Sequence, residues 1–238
     1  MNSKIFLLVA LLPVVMAGQS SFPFQLGERL LYEATFNLIM VGNSELSIAS
    51  IDTVDNFPTY RIIFEVRSNP IADRIFKVRD KVETWIDEKG LFTRKIKKKI
   101  REGVYRKKST VTIDYTDSLL RADSKTFKID QVIRDPYSLF YYLRTIPLKV
   151  GDLLSFTTFD NNKFTDFQVT VHYKEKVKVP AGEFNCFVIK PFRAERSLFK
   201  SRGEMTIWLS DDAQRLPVKI KSKATFGSMV LKLRKVTR

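Results

Sequence analysis

A lysine- and arginine-rich stretch at residues 94–108 carries the residue types that most clearly favour a binding chemistry. Glu102-Gly103 near its middle predicts a hairpin turn between two strands. Side chains alternate between the two faces of a strand, so one face of this hairpin collects cations. We call this predicted face the basic ribbon, and it consists of Lys95, Lys97, Lys99, Arg101, Arg106 and Lys108.

The basic ribbon has two interpretations. A register symmetric about Glu102-Gly103 places Arg106 opposite Lys99 and Lys108 opposite Lys97. Like charges directly opposite each other destabilise a strand pair by roughly 0.2–1 kcal/mol. Such a cost is explained if the ribbon binds an anionic ligand. It is equally explained if the ribbon is a charged edge that discourages pairing with other molecules.

The remaining side chains offer little for catalysis or metal binding. His172 is the only histidine and alternates with lysines on a predicted outer face, where no pocket would surround a general base. Cys186 lies in an apolar run, which predicts a buried thiol, and a single cysteine excludes an intramolecular disulfide. Zinc or copper sites built from several His and Cys side chains are excluded by the count of these residues. We therefore predict a protein that is not an enzyme and that holds no metal and no cofactor.

Asp80 is the acid with the most unusual predicted position. It shares a strand face with Val78 and Val82, which places a carboxylate on the apolar side of the strand. A structural ion pair, with Arg79 and Arg74 nearby, or a charge that protects an edge strand is the structural explanation for this position. A carboxylate-dependent envelope hydrolase is the functional explanation, and it ranks third among our interpretations because spacing alone identifies no partner acid.

Apolar and polar residues alternate with period two over much of the chain, for example at residues 60–66, 169–173 and 218–220. This pattern predicts half-buried strands. Asp135 as a cap and Pro136 at the first helical position predict one short helix near 135–144. The sequence therefore predicts an all-β fold: antiparallel, strongly curved, barrel-like or half-barrel sheets of about a dozen strands, with that helix flanking or plugging them.

Two parts of the chain echo each other. Leu26-Gly27-Glu28 recurs as Val150-Gly151-Asp152, and the two tryptophans, Trp85 and Trp208, follow these glycines at similar distances. The echo favours two repeated meanders at residues 24–115 and 148–238, joined through the helix at 135–144 within a single domain at 18–238. A chance similarity between two ordinary meanders is the alternative.

The start of the chain predicts export. Lys4 is followed by apolar residues 5–15, and Val15-Met16-Ala17 suits a signal peptidase. We predict a signal peptide at 1–17 and a periplasmic protein, with secretion as the alternative. No transmembrane anchor is expected, because a helical crossing needs about 20 apolar residues. The net charge of +15 favours anionic lipid or glycolipid as partner, and a solvated lysine-rich exterior is the other explanation for it. An envelope protein is the alternative partner, and nucleic acid is not expected.

Five stretches resemble a bacterial envelope family in their order and spacing. They are residues 24–33, 76–83, 135–144, 179–184 and 211–220. Over about residues 22–234 the chain resembles the family called domain of unknown function 3108, most specifically around Arg215-Leu216-Pro217. The resemblance implies an exported, β-rich protein of Gram-negative-type bacteria and brings no established reaction or site residue. A shorter stretch is similar to the periplasmic lipoprotein carriers, which are open half-barrels with an apolar concavity.

These features together predict non-enzymatic binding or shuttling of an amphipathic, anionic lipid or glycolipid. Its acyl part is expected in an apolar concavity and its head group on the basic ribbon. An envelope scaffold or interaction protein with a fully packed core is the alternative. The side chains predicted to line the concavity are Tyr32, Phe36, Tyr60, Phe64 and Trp85, with Ile86 as the alternative to Trp85.

Overall fold

The computed structural model describes residues 22–193, 205–224 and 227–238, so the predicted signal peptide at 1–17 lies outside the described residues. Fourteen strands and two helices make up this part of the chain. In chain order they are β1 (Arg29–Phe36), β2 (Ile39–Val54), β3 (Phe57–Ser68), α1 (Pro70–Asp73), β4 (Arg79–Asp87), β5 (Thr93–Glu102), β6 (Tyr105–Asp114), β7 (Leu119–Ala122), β8 (Lys125–Lys128), α2 (Pro136–Thr145), β9 (Leu153–Asp160), β10 (Lys163–Val179), β11 (Gly182–Arg193), β12 (Met205–Ser210), β13 (Pro217–Ala224) and β14 (Gly227–Thr237).

All fourteen strands belong to one antiparallel sheet, in the order β8-β7-β6-β5-β4-β3-β2-β1-β14-β13-β12-β11-β10-β9. Strands β1 to β8 form one meander and β9 to β14 another, and the pairing of β1 with β14 joins the two. The sheet is not closed, and β8 and β9 are its two edges. The predicted class, a barrel-like antiparallel β fold with a helix near 135–144, is confirmed.

The two ends of the sheet nevertheless come close together. Ile133, between β8 and α2, forms a parallel bridge with Thr157 of β9. On the opposite side its carbonyl accepts a hydrogen bond from the Thr93 backbone N–H at 3.0 Å. Farther along β9, Asp160 forms an ion pair with Lys98 of β5 at 2.7 Å. The sheet therefore curls until strands of its two meanders face each other.

Helix α2 fills the space inside this curl. Asp135 is its N-cap, and Pro136 occupies the first turn, where a missing N–H costs nothing. Leu139 and Leu143 pack in an apolar cluster with strands of the second meander. Tyr141 belongs to a larger cluster that includes side chains of both meanders. The helix thus acts as a plug between the two halves of the sheet.

A buried ion pair holds the C-terminal end of α2. The Arg144 guanidinium donates to both carboxylate oxygens of Glu28, at 2.5 and 3.0 Å, and the two side chains are 1% and 0% exposed. Arg144 also donates to the backbone carbonyls of Pro23 and Gln214. These bonds connect the helix to the segment before β1 and to the β12–β13 connection.

The two meanders make corresponding contacts. The Gly27 N–H donates to the Ile48 carbonyl at 3.0 Å, and the Gly151 N–H donates to the Val171 carbonyl at 2.8 Å. Each tryptophan indole also donates to an acid two strands away: Trp85 to Asp52 and Trp208 to Glu175. The internal repeat stays a prediction, which these matching contacts support.

Candidate ligand-binding surface

The basic ribbon lies on the hairpin of β5 and β6. Its two-residue turn is Gly103-Val104, and the cross-strand pairs are Lys99 with Lys108 and Arg101 with Arg106. The predicted pairs of Lys99 with Arg106 and Lys97 with Lys108 are therefore wrong. Gly103 has a φ of +53° at the first central position, the pattern of a type II′ turn, and this centres the hairpin one residue later than predicted.

The shifted register leaves every ribbon residue on the face predicted for it, because each partner moves by two positions. Five of the side chains are exposed and Lys95 is half-buried. Among the acid side chains in the described part of the chain, none lies within 4 Å of a charged nitrogen of Lys97, Lys99, Arg101 or Lys108. The ribbon is thus a cluster of uncompensated positive charge.

Neighbouring strand β4 contributes one acid to this face. Glu83 lies opposite Lys97, but its carboxylate is bonded to Arg61 and lies 3.5 Å from Lys81. Burial by itself would raise the pKa of Glu83, but the Arg61 hydrogen bond and the charges of Lys81 and Arg61 outweigh it and lower this pKa. Glu83 therefore remains ionised and stabilises the β3–β4 side of the face, which leaves the β5–β6 side positive.

A shallow cavity of about 200 Å³ opens on this face. This volume is below the roughly 300 Å³ at which small-molecule pockets begin, so it suits one charged head group better than an acyl chain. The side chains around it include Lys81, Glu83, Lys97, Lys99, Lys108 and Thr110.

Trp85 lies on the same face as the ribbon, so its predicted place in an apolar concavity is wrong. It is 7% exposed, and its indole N–H donates to Asp52 at 2.8 Å. The charged groups of Arg61, Lys95 and Lys97 lie 5.3 to 5.6 Å from the centre of its ring. Cation–π attraction of this kind positions the first part of the ribbon.

The other predicted aromatic residues do not meet the ribbon. Tyr32, Tyr60 and Phe64 lie on the opposite face of the sheet, in or against the core cluster around α2. Phe64 contacts the ring of Tyr137 in α2 at 4.9 Å, so the helix occupies the position expected for an acyl chain. Phe36 is 38% exposed at the end of β1, and its predicted inward position is wrong because β1 ends there in a turn.

Larger cavities are lined by other side chains. One of about 550 Å³ lies between Pro23, Arg144 and Arg215, and another of about 450 Å³ lies between Arg134, Phe156 and Asp166. None of the predicted aromatic residues lines either cavity. Among the described residues, no three His, Cys, Asp or Glu side chains are grouped closely enough to hold a metal ion.

Asp80 pairs with another acid and not with an arginine. Its carboxylate accepts the Arg101 backbone N–H at 2.8 Å, while Arg79 forms its ion pair with Asp73 at 2.5 Å. Burial raises the pKa of Glu102, and the charge and hydrogen bond of Asp80 raise it further. The expected ion pair of Asp80 with Arg79 or Arg74 is therefore wrong. The result is a pair of carboxyl groups at one end of the β4–β5 ladder.

Replacing Asp80 tests this pair. We expect Asp80→Asn to lower the pKa of Glu102 toward its ordinary value, because the substitution removes the neighbouring charge and keeps an oxygen for the Arg101 N–H. An NMR titration of the Glu102 carboxyl carbon in both proteins measures the change. An unchanged Glu102 pKa would show that burial alone sets it.

Sequence reasoning also missed a group of exposed apolar side chains at the hairpin turns. Leu38 and Val104 are 93% and 100% exposed, each directly after a turn-forming residue, Asn37 or Gly103. The sequence signal that could have identified them is an apolar residue within a predicted hairpin turn.

An open, strongly curved antiparallel sheet around a helical plug defines a β-barrel-like protein. The model of a family described as protein of unknown function (DUF3108) matches residues 31–234, and the chain belongs to this family. No curated protein matches the sequence.

One solved structure supports this architecture. A β-barrel-like protein of domain of unknown function DUF1849 from Brucella abortus is similar with a TM-score of 0.59 and 12% identity, over 89% of this chain and 97% of that chain. A candidate lipoprotein from Parabacteroides distasonis matches with a TM-score of 0.38 and 11% identity, over 91% and 98% of the two chains. The first of these supports the fold, and the second is too distant to add to it.

Proposed function

We propose that this protein is an exported, non-enzymatic envelope component that binds the anionic head groups of lipid or glycolipid on its basic ribbon. The observation that carries the proposal is the exposed cluster Lys97, Lys99, Arg101 and Lys108, which has no acid partner within 4 Å among the described residues. The signal-peptide pattern at 1–17 supports export, and the periplasm is the compartment that we propose.

Surface binding is favoured over transport of a whole lipid inside the sheet. Helix α2 packs against Phe64 and against the core clusters of both meanders, so the curl of the sheet holds protein side chains. The shallow cavity beside Lys99 and Lys108 suits a phosphate group. Each exposed basic residue near an anionic membrane surface contributes about 1 kcal/mol, and this contribution falls with salt.

The packed interior also supports a second function, a scaffold that binds an envelope protein. The buried Arg144–Glu28 pair and the N-cap at Asp135 fix α2 at both ends, as a rigid interaction module requires. The two functions differ in one respect. Only the lipid-binding function predicts that the purified protein binds anionic vesicles without a protein partner.

Charge reversal on the ribbon tests the lipid-binding function. In the variant Lys99→Glu with Arg106→Glu, each new carboxylate faces a cation: Lys108 and Lys81 around position 99, and Arg101 opposite position 106. We expect binding to vesicles of phosphatidylethanolamine and phosphatidylglycerol to weaken by at least about 30-fold at low salt, with a smaller loss at high salt. The free energy of unfolding should stay level or rise, because three repulsive cross-strand pairs become attractive.

Lys221→Glu with Lys223→Glu is the matched control, because it makes the same charge change at exposed lysines of β13. Binding of this control should remain within a few-fold of the parent. A ribbon variant that binds as tightly as the parent would refute the proposal and leave the ribbon as a charged edge. Equal losses in both variants would assign the effect to net charge.

A further inference from the structure

One end of the sheet carries exposed apolar side chains on three neighbouring connections. The connections β1–β2, β3–β4 and β5–β6 lie at the same end because alternate turns of an antiparallel meander do so. Six apolar side chains in or next to these connections are between 54% and 100% exposed. We call this surface the apolar rim, and it consists of Leu38, Ile39, Ile71, Ile75, Phe76 and Val104.

Hydrogen bonds join these connections into one surface. The Asn69 backbone N–H donates to the Val41 carbonyl at 2.8 Å, and its side-chain amide donates to the Met40 carbonyl at 2.9 Å. The Gly103 N–H donates to the Lys77 carbonyl at 2.8 Å. The Phe76 ring lies against Gly103, where an added Cβ would be 2.7 Å from the ring. The rim is therefore continuous from β1–β2 through α1 to β5–β6.

The exposure of Leu38 is unfavourable in two ways. Asn37 and Leu38 form a two-residue turn with φ of +46° and +74°, the pattern of a type I′ turn. Asparagine adopts this conformation readily, whereas a bulky residue such as leucine is strained there. Leu38 is also 93% exposed, so no burial within the protein offsets the strain. Burial against something outside the chain would offset it.

The segment that contains α1 shows the same feature. The helix buries none of its side chains, and Ile71 and Ile75 are 76% and 88% exposed. Scattered exposed apolar residues are ordinary, but a contiguous group of this size marks an interaction surface. The rim is a continuous edge across three connections, and such an edge fits an extended apolar layer such as the acyl boundary of a membrane.

The charged side chains around the rim indicate that the apolar layer is a membrane with anionic head groups. Arg74 and Lys77 are exposed within the rim, and the Arg101–Arg106 pair of the ribbon follows immediately behind Val104. Three acids lie nearby: Asp73 is bonded to Arg79 and Ser68, Asp80 accepts the Arg101 backbone N–H, and burial together with Asp80 raises the pKa of Glu102, which favours its neutral form. Apolar side chains at the very end, with cations one or two residues behind them, match the order of acyl chains and anionic head groups at a membrane surface.

We propose that the apolar rim inserts into the acyl boundary of an anionic lipid leaflet while the basic ribbon lies on the head groups. This inference rests on the proposed function and adds the orientation in which the protein meets the membrane. The strands β5 and β6 then lie tilted against the leaflet, so that the rim enters the acyl boundary and the ribbon face contacts the head groups.

A rim variant tests the insertion. In Leu38→Asn with Ile75→Ser and Val104→Asn, all three replaced side chains are at least 88% exposed, so the core is untouched. Asparagine also relieves the strain at position 38. We expect binding to phosphatidylethanolamine–phosphatidylglycerol vesicles to weaken by about 100-fold or more, by a factor that persists at high salt. The ribbon variant, in contrast, loses less at high salt.

A fluorescent label gives a direct readout. Leu38→Cys carries an environment-sensitive dye, and Val150→Cys, which is 53% exposed before β9, is the matched control at the other end of the sheet. Cys186 will not compete for the label, because it is buried and burial raises its pKa to about 12. Vesicles should shift the emission of the dye at position 38 to the blue, and brominated lipids should quench it. The dye at position 150 should not respond.

The outcomes separate this inference from the proposed function. A rim variant that binds like the parent, with no blue shift at position 38, overturns insertion, and a loss in the ribbon variant would then still support head-group binding. A ribbon variant that binds like the parent overturns the proposed function, whatever the rim does. If the rim variant only converts a dimer to a monomer in sedimentation and binds vesicles as before, the rim is an interface between copies and insertion is overturned.

Discussion

Replacing Arg144 by Met should lower the free energy of unfolding by about 3–5 kcal/mol, because the substitution leaves the Glu28 carboxylate buried without its main partner. Glu28 is fully buried and accepts both of its short bonds from Arg144. Arg238 lies 3.5 Å from Glu28 and compensates only in part. Denaturant unfolding followed by circular dichroism measures the loss.

Two further variants give this prediction its controls. Arg29→Met removes a similar two-bond pair with Glu45, but Arg29 is 53% exposed, so water replaces the lost contact and the loss should be much smaller. Glu28→Gln combined with Arg144→Met leaves no unpaired charge in the interior and should recover part of the stability. Equal losses in the Arg144 and Arg29 variants would contradict a special role for the buried pair.

Asp135→Ala should have the second largest effect, a loss of about 3 kcal/mol. One carboxylate oxygen of Asp135 accepts the Tyr137 and Ser138 backbone N–H groups, and removing such a cap costs roughly 0.5–2 kcal/mol. The other oxygen accepts the hydroxyls of Thr84 and Thr93, each at 2.6 Å. An unpaired buried hydroxyl costs about 1–3 kcal/mol, and the cost here lies toward the low end because Thr84 can also donate to the Lys95 carbonyl and Thr93 to the Ser138 hydroxyl.

Thermal and denaturant unfolding distinguish the two contributions. Asp114→Ala removes two backbone bonds of the same kind from an exposed turn, at Thr116 and Asp117, and should cost about 1 kcal/mol or less. Asp135→Asn keeps the capping oxygen and should fall between the parent and Asp135→Ala. If the alanine variants at 135 and 114 lose equal stability, the threonine bonds that connect α2 to β4 and β5 contribute little.

The sequence was sufficient to predict features that depend on local periodicity. The face of each ribbon residue follows from alternation, and alternation survives a register shift of two, so Lys99 and Arg101 lie where they were expected. The register does not follow from alternation, because it depends on the backbone conformation of Gly103. The helix was predictable for the same local reason, since Asp135 and Pro136 are adjacent start signals.

Features that depend on distant contacts were not predictable. Trp85 and Ile86 are both apolar, so alternation could not decide which of them faces the core. That choice depends on Asp52, which lies 33 positions earlier and accepts the Trp85 indole N–H. The filled interior depends on Arg144 meeting Glu28 across 116 positions. No short-range sequence pattern predicts either contact. The concavity was therefore the least predictable part of the site.

The pairing of β1 with β14 constrains the order of folding. Leu30 lies opposite Val236, so the first and the last of the described strands pair in the middle of the sheet. The hairpins of each meander close short loops and form early, whereas this central seam closes a very long loop and forms late. Until it forms, β1 and β14 each present an unpaired edge to which other chains can add. Because synthesis starts at the N-terminus, β1 remains unpaired until β14 has been made, and a chaperone that covers strand edges would be most useful during that interval.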